Sequence, residues 1–115
     1  MATIKSYTDL SQSRKLAEFL PIKSADMRYT PFGDTHPWVW NEEVKLLEKG
    51  SVPCWSLAAL LEYMNRNFYN ISLNYCGSEY TISFDDGERY KTISKDYSID
   101  AAFEMIVWLK ENGKI

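Results

Sequence analysis

The sequence predicts an α+β fold in two layers, with a three-stranded antiparallel meander packed on helices. Three observations carry this expectation. From residue 69 the hydrophobic period falls from 3.6 to 2. Tyr69, Ile71, Leu73 and Tyr75 alternate with Asn70, Ser72 and Asn74, and beyond Gly77-Ser78 the residues Tyr80, Ile82 and Phe84 alternate with Thr81, Ser83 and Asp85. Asp86-Gly87 is a hairpin signal, because glycine accepts positive φ and aspartate tolerates it. Helical patterns flank the alternating stretch, and an antiparallel sheet with one polar face needs helices only on the other. The expected order is α, loop, α, α, β, β, β, α in a single domain of 115 residues.

The elements follow in order. A first helix over 8–20 has Thr8 as cap, Asp9 in the first turn, and Leu10, Leu16, Ala17 and Leu20 on one face; Pro21 stops it. Residues 22–40 read as an extended start and then an ordered, aromatic-rich loop with Tyr29, Phe32, Trp38 and Trp40 among Pro31, Gly33 and Pro37. A short helix over 42–49 follows, capped by Asn41 and closed by Gly50. The clearest helix spans 54–65, with Pro53 at its start and Cys54, Leu57, Ala58, Leu60, Leu61 and Met64 along one stripe. Strands cover 69–75, 80–85 and 88–94. Ser98 caps a last helix over 99–112 that turns Ala102, Phe103, Ile106 and Leu109 inward, and Gly113 ends it.

Composition bounds the function. Hydrophobic residues make up 45% and charged residues 25%, an ordinary globular balance. A chain of this length buries roughly 65% of its unfolded surface without needing staples. The net charge of −3 argues against a phosphate-backbone binder, so nucleic acid is not an expected partner. No apolar run reaches the length of a membrane span, so no membrane is expected either. The opening residues MATIKSYTDLSQSRK lack the apolar stretch of a signal peptide, which points to the cytoplasm and to reduced thiols at Cys54 and Cys76.

Three segments, SADM at 24–27, PCWSLAALL at 53–61 and DAAFEMIVWLKE at 100–111, follow an LAEFLP at 16–21. Together they resemble a group of small uncharacterised proteins carried by gut anaerobic bacteria and their prophages or mobile elements. The resemblance implies a cytoplasmic, phage-related accessory protein, and it transfers no catalytic or binding residue.

Two shorter likenesses bear on chemistry. PCWSLAALLEYM is similar to the helix of papain-type peptidases, where a nucleophilic cysteine followed by tryptophan sits at a helix N-terminus that lowers its pKa. Such an enzyme needs a histidine after the cysteine. The sole histidine, His36, lies before it, and the buried structural thiol is the competing reading. The order helix, three strands, helix over 54–112 is similar to the double-stranded RNA-binding domain. That module needs bases at the start of its last helix, where this chain has Ser98, Ile99 and Asp100.

The remaining motifs are bland. His36 has no second histidine and neither cysteine has a close cysteine partner, so no metal site is expected. The five glycines are too scattered for a phosphate loop or dinucleotide fingerprint, and no cofactor is implied. The aromatic loop stands out, because Trp and Tyr dominate binding hot spots. The expectation is therefore a non-enzymatic interaction protein that binds a protein partner or self-associates. Tyr29, Phe32, Trp38 and Trp40 are its candidate binding residues, with an edge strand beside them. A small cysteine-hydrolase-like enzyme using Cys54 as nucleophile and His36 as base is the alternative.

Overall fold

The architecture comes from a computed structural model that describes residues 5–33, 36–40, 49–67 and 70–115, with the backbone alone for Cys76. It is a compact α+β protein with three helices and two three-stranded antiparallel sheets among the described residues, in the order α-β-β-β-α-β-β-β-α. The expected meander is present. The other sheet joins the expected extended start to residues that the sequence assigns to loop and helix start.

Helix α1 runs Leu10–Ala17, shorter than the expected 8–20. Asp9, not Thr8, caps it. Its carboxylate accepts from the Gln12 backbone N–H at 2.7 Å, and the Gln12 side chain accepts from the Asp9 N–H at 3.1 Å. Thr8 is released from capping and is fully buried. The residues before it run beside residues 55–57: Thr8 N–H donates to the Trp55 carbonyl at 2.9 Å and Leu57 N–H to the Ser6 carbonyl at 3.0 Å.

After Pro21 a turn of 3-10 helix, Ile22–Ser24, leads into β1, Met27–Tyr29. Strands β2, Trp38–Val39, and β3, Val52–Cys54, pair with β1 on either side, giving the order β2-β1-β3. The extended start expected within 22–40 thus holds β1, while Trp38 and Val39, expected in the loop, form a strand paired with it. Residues 53 and 54 are likewise strand and not helix. Pro53 sits on β3, an edge strand, where its missing N–H leaves no ladder bond broken. The expected helix over 42–49 falls, apart from Lys49, outside the described residues.

Helix α2, Leu57–Asn67, starts three residues later than expected because Ser56 caps it, accepting from the Ala59 N–H at 3.1 Å. Its buried face is Ala59, Leu60 and Met64; Leu57 and Leu61 are half-buried and Ala58 is exposed.

Strands β4, Ile71–Cys76, β5, Glu79–Asp85, and β6, Tyr90–Lys95, form the meander. Ile71 pairs with Phe84, Leu73 with Ile82 and Tyr75 with Tyr80, so the alternating apolar set shares one face as the sequence requires; Tyr69 lies outside the described residues. The second hairpin differs. Asp85 pairs with Tyr90 and the loop holds four residues. The Asp86 carboxylate accepts from the N–H groups of Glu88 and Arg89 at 2.9 and 2.6 Å, so β6 begins at 90 instead of 88.

Helix α3, Ser98–Glu111, lies over β5 and β6, and α2 packs on α3. The residue before it, Tyr97, gives no side-chain cap, and Ser98 is already helical. Ile99, Ala101, Ala102, Met105, Ile106 and Leu109 are buried, with Phe103 only half so. One layered core results, joining α1, α2, α3 and the apolar face of β5. Strand β4 overhangs it. Ile71 and Leu73 are half-buried and Tyr75 is 64% exposed, which corrects the expectation that helices pack over the apolar face of the meander as a whole.

Candidate interaction site and the buried thiol

The β1–β2 hairpin, whose β1 is the central strand of the small sheet, is fixed by three sets of hydrogen bonds. Asp26 accepts through one carboxylate oxygen from the Ser56 N–H at 2.9 Å and through the other from the Ser56 hydroxyl. Its carbonyl accepts from the Trp40 N–H at 2.9 Å. The Tyr29 hydroxyl donates to the buried Thr8 carbonyl at 2.9 Å, and burial pushes its pKa well up. At the tip, Gly33 has φ 74°, the left-handed region that glycine enters without strain.

These anchors sort the four aromatic candidates. Tyr29 and Trp40 are buried, the latter 2% exposed, with the Arg28 guanidinium 5.8 Å from the Trp40 ring. Phe32 is 85% exposed and Trp38 54%. The two-residue spacing of the indoles suggests that an extended stretch turns both the same way. The structure separates them by cover: the Trp40 N–H bonds the Asp26 carbonyl in register with the β1–β2 pairing and its indole is buried, while that of Trp38 is not. Val39, 73% exposed, joins Phe32 and Trp38 as a third large apolar side chain on the hairpin. Sequence reasoning missed it, although a β-branched residue between two tryptophans is a strand signal.

Beside the hairpin lies an open groove of about 780 Å³. Tyr7, Met27, Val39, Trp40 and Leu57 give it a mainly apolar lining. His36 is exposed at the hairpin, its ring 5.6 Å from that of Trp38.

Cys54 is elsewhere. It is fully buried on β3, where its thiol donates to the Thr8 carbonyl at 3.3 Å and lies 3.4 Å from the Thr8 hydroxyl. Burial pushes its pKa up, against smaller opposing effects from the Thr8 and Ser13 hydroxyls. A nucleophilic thiol needs access and a lowered pKa; this one has neither, and its burial comes from the strand rather than from a helix stripe. The structure does not bring His36 and Cys54 onto one strand pair, since β1 runs between β2 and β3. No group of three His, Cys, Asp or Glu able to hold a metal occurs among the described residues. No helix among them is long and apolar enough to cross a membrane.

Compared with protein-family models, curated proteins and solved structures, the chain matches none.

Proposed function

We propose that the protein is a non-enzymatic interaction module that captures an apolar segment of a protein partner on the β1–β2 hairpin. One observation carries the reading. Phe32, Trp38 and Val39 are exposed on a hairpin whose base is hydrogen-bonded into the core. Large apolar side chains held in place before binding lose little entropy on contact, which is how hot-spot residues work. The groove bordered by Val39 supplies a concave neighbour for a partner side chain. The resemblance to small prophage and mobile-element proteins supports an accessory role in the cytoplasm.

Peptide display against the folded chain tests this. Selected peptides should lose about tenfold or more in affinity, 1.4 kcal/mol, for a Trp38→Ser/Val39→Ser variant that melts like the wild type. Peptides that bind both proteins equally would remove the hairpin from the reading.

A further inference from the structure

The two sheets present four edge strands: β2, β3, β4 and β6. Three are short or guarded. Strand β2 has two residues, β3 carries Pro53, and β6 carries Lys91 and Lys95. Proline and lysine are what proteins place on an edge to prevent further pairing. Strand β4, ISLNYC, runs six residues with no charge and no proline, and among the described residues it pairs only with β5. Its apolar face also overhangs the core, with Tyr75 exposed and Ile71 and Leu73 half-covered.

We infer that β4 is a self-pairing edge, through which two copies of the chain join β4 to β4 about a twofold axis at Leu73. The sequence of the strand complements itself in that register. Antiparallel pairing about Leu73 sets Ile71 opposite Tyr75 of the partner, Leu73 opposite the partner's Leu73, and Ser72 opposite the partner's Asn74. Apolar residues meet on the helix-covered side and polar residues on the other, as a continuous sheet requires. No like charges meet along the strand. The product is a six-stranded antiparallel sheet in which each copy extends the other's overhanging apolar strip. The interface is isologous, so assembly closes at the dimer. This inference does not depend on the hairpin reading.

The register makes the test specific. Ser72 and Asn74 are exposed and face away from the core, so lysines fit there in the monomer. Sedimentation equilibrium across a wide concentration range should show the wild type in a monomer–dimer equilibrium. Ser72→Lys/Asn74→Lys puts like charges opposite each other twice and should leave a monomer with unchanged far-UV circular dichroism. Ser72→Lys/Asn74→Glu puts opposite charges there twice and should restore the dimer. A wild type that stays monomeric at every concentration overturns the inference, as does a dimer that ignores the double lysine. A dimer lost in Trp38→Ser assigns self-association to the hairpin instead, and failure of the charge swap to restore pairing rejects the register.

Discussion

Replacing Thr8 by valine probes the joint that ties the N-terminal segment to β3. The Thr8 hydroxyl is fully buried and serves three neighbours. It accepts from the Trp55 N–H at 3.2 Å, sits 2.7 Å from the Ser13 hydroxyl and 3.4 Å from the Cys54 thiol. Valine keeps the shape and removes the oxygen. The Trp55 N–H is then a buried donor without this acceptor, at a cost of about 1–3 kcal/mol, and the lost Ser13 bond adds about 0.5–1.5 kcal/mol. The extra buried methyl returns about 0.8 kcal/mol. The net loss is about 1–4 kcal/mol. Thr8→Ser keeps the hydroxyl, gives up one methyl and should cost about 1 kcal/mol. Urea titration of both variants is the assay, with m unchanged if only stability moves. A Thr8→Val protein within about 0.5 kcal/mol of wild type, or more stable than Thr8→Ser, would refute the claim that the hydroxyl network holds this joint.

Four further outcomes follow from the same geometry. Native Cys54 should resist thiol reagents at neutral pH and react only at the rate of unfolding, measured by mass spectrometry with and without denaturant. Trp40→Ala should lower stability by about 3–5 kcal/mol, while Trp38→Ala stays within about 0.5 kcal/mol, both read from urea midpoints. Gly50→Ala should destabilise by about 1–3 kcal/mol, since a Cβ there meets Pro31 Cβ at 2.9 Å and φ is 89°. Stability should fall with acid. The Lys114 hydrogen bond, with the Arg89 and Glu88 N–H groups, holds Asp86 below the usual carboxylate range. At Asp100 burial pushes up, but hydrogen bonds from Lys5 and Gln12 outweigh it and pull it down. A depressed folded pKa means the stabilisation is complete above the ordinary value near 4 and is lost as pH falls through the folded one. Asp86→Asn and Asp100→Asn should therefore each flatten the acid limb of a stability–pH curve.

The meander was legible because its signal is local. Period-2 alternation with Gly77-Ser78 and Asp86-Gly87 between the strands sets which residues share a face, and the register follows the apolar set. Which part of that face is covered was not legible. Coverage depends on where α3 crosses, and it crosses β5 and β6, leaving Tyr75 outside. The small sheet was hidden for a different reason. Its strands hold three, two and three residues, too short to show a period, and they come together from 27–29, 38–39 and 52–54. The Pro53-Cys54-Trp55 run reads as a helix start on local rules. Ser56 is the actual cap, and Asp26, thirty residues away, binds it and so fixes where the helix begins.

The candidate site shows the same division between residue type and residue environment. Four aromatics in a dozen residues marked 29–40 as ordered, and Tyr29 and Trp40 are indeed packed inside. Which aromatics would remain outside turned on what the rest of the fold lays over each of them. The Trp40 N–H reaches the Asp26 carbonyl in register with the β1–β2 pairing and its indole joins the buried core, while Trp38, two residues earlier, remains exposed. No pattern of residue types encodes that difference in cover, because the spacing of the two indoles gives both the same side. The same holds for Cys54. Its burial was foreseen from the thiol's chemistry, yet its surroundings are Thr8 and Ser13 rather than a helix stripe. Those hydroxyls lie more than forty residues away in the chain, which is why the thiol's inertness, unlike its burial, had to be read from the fold.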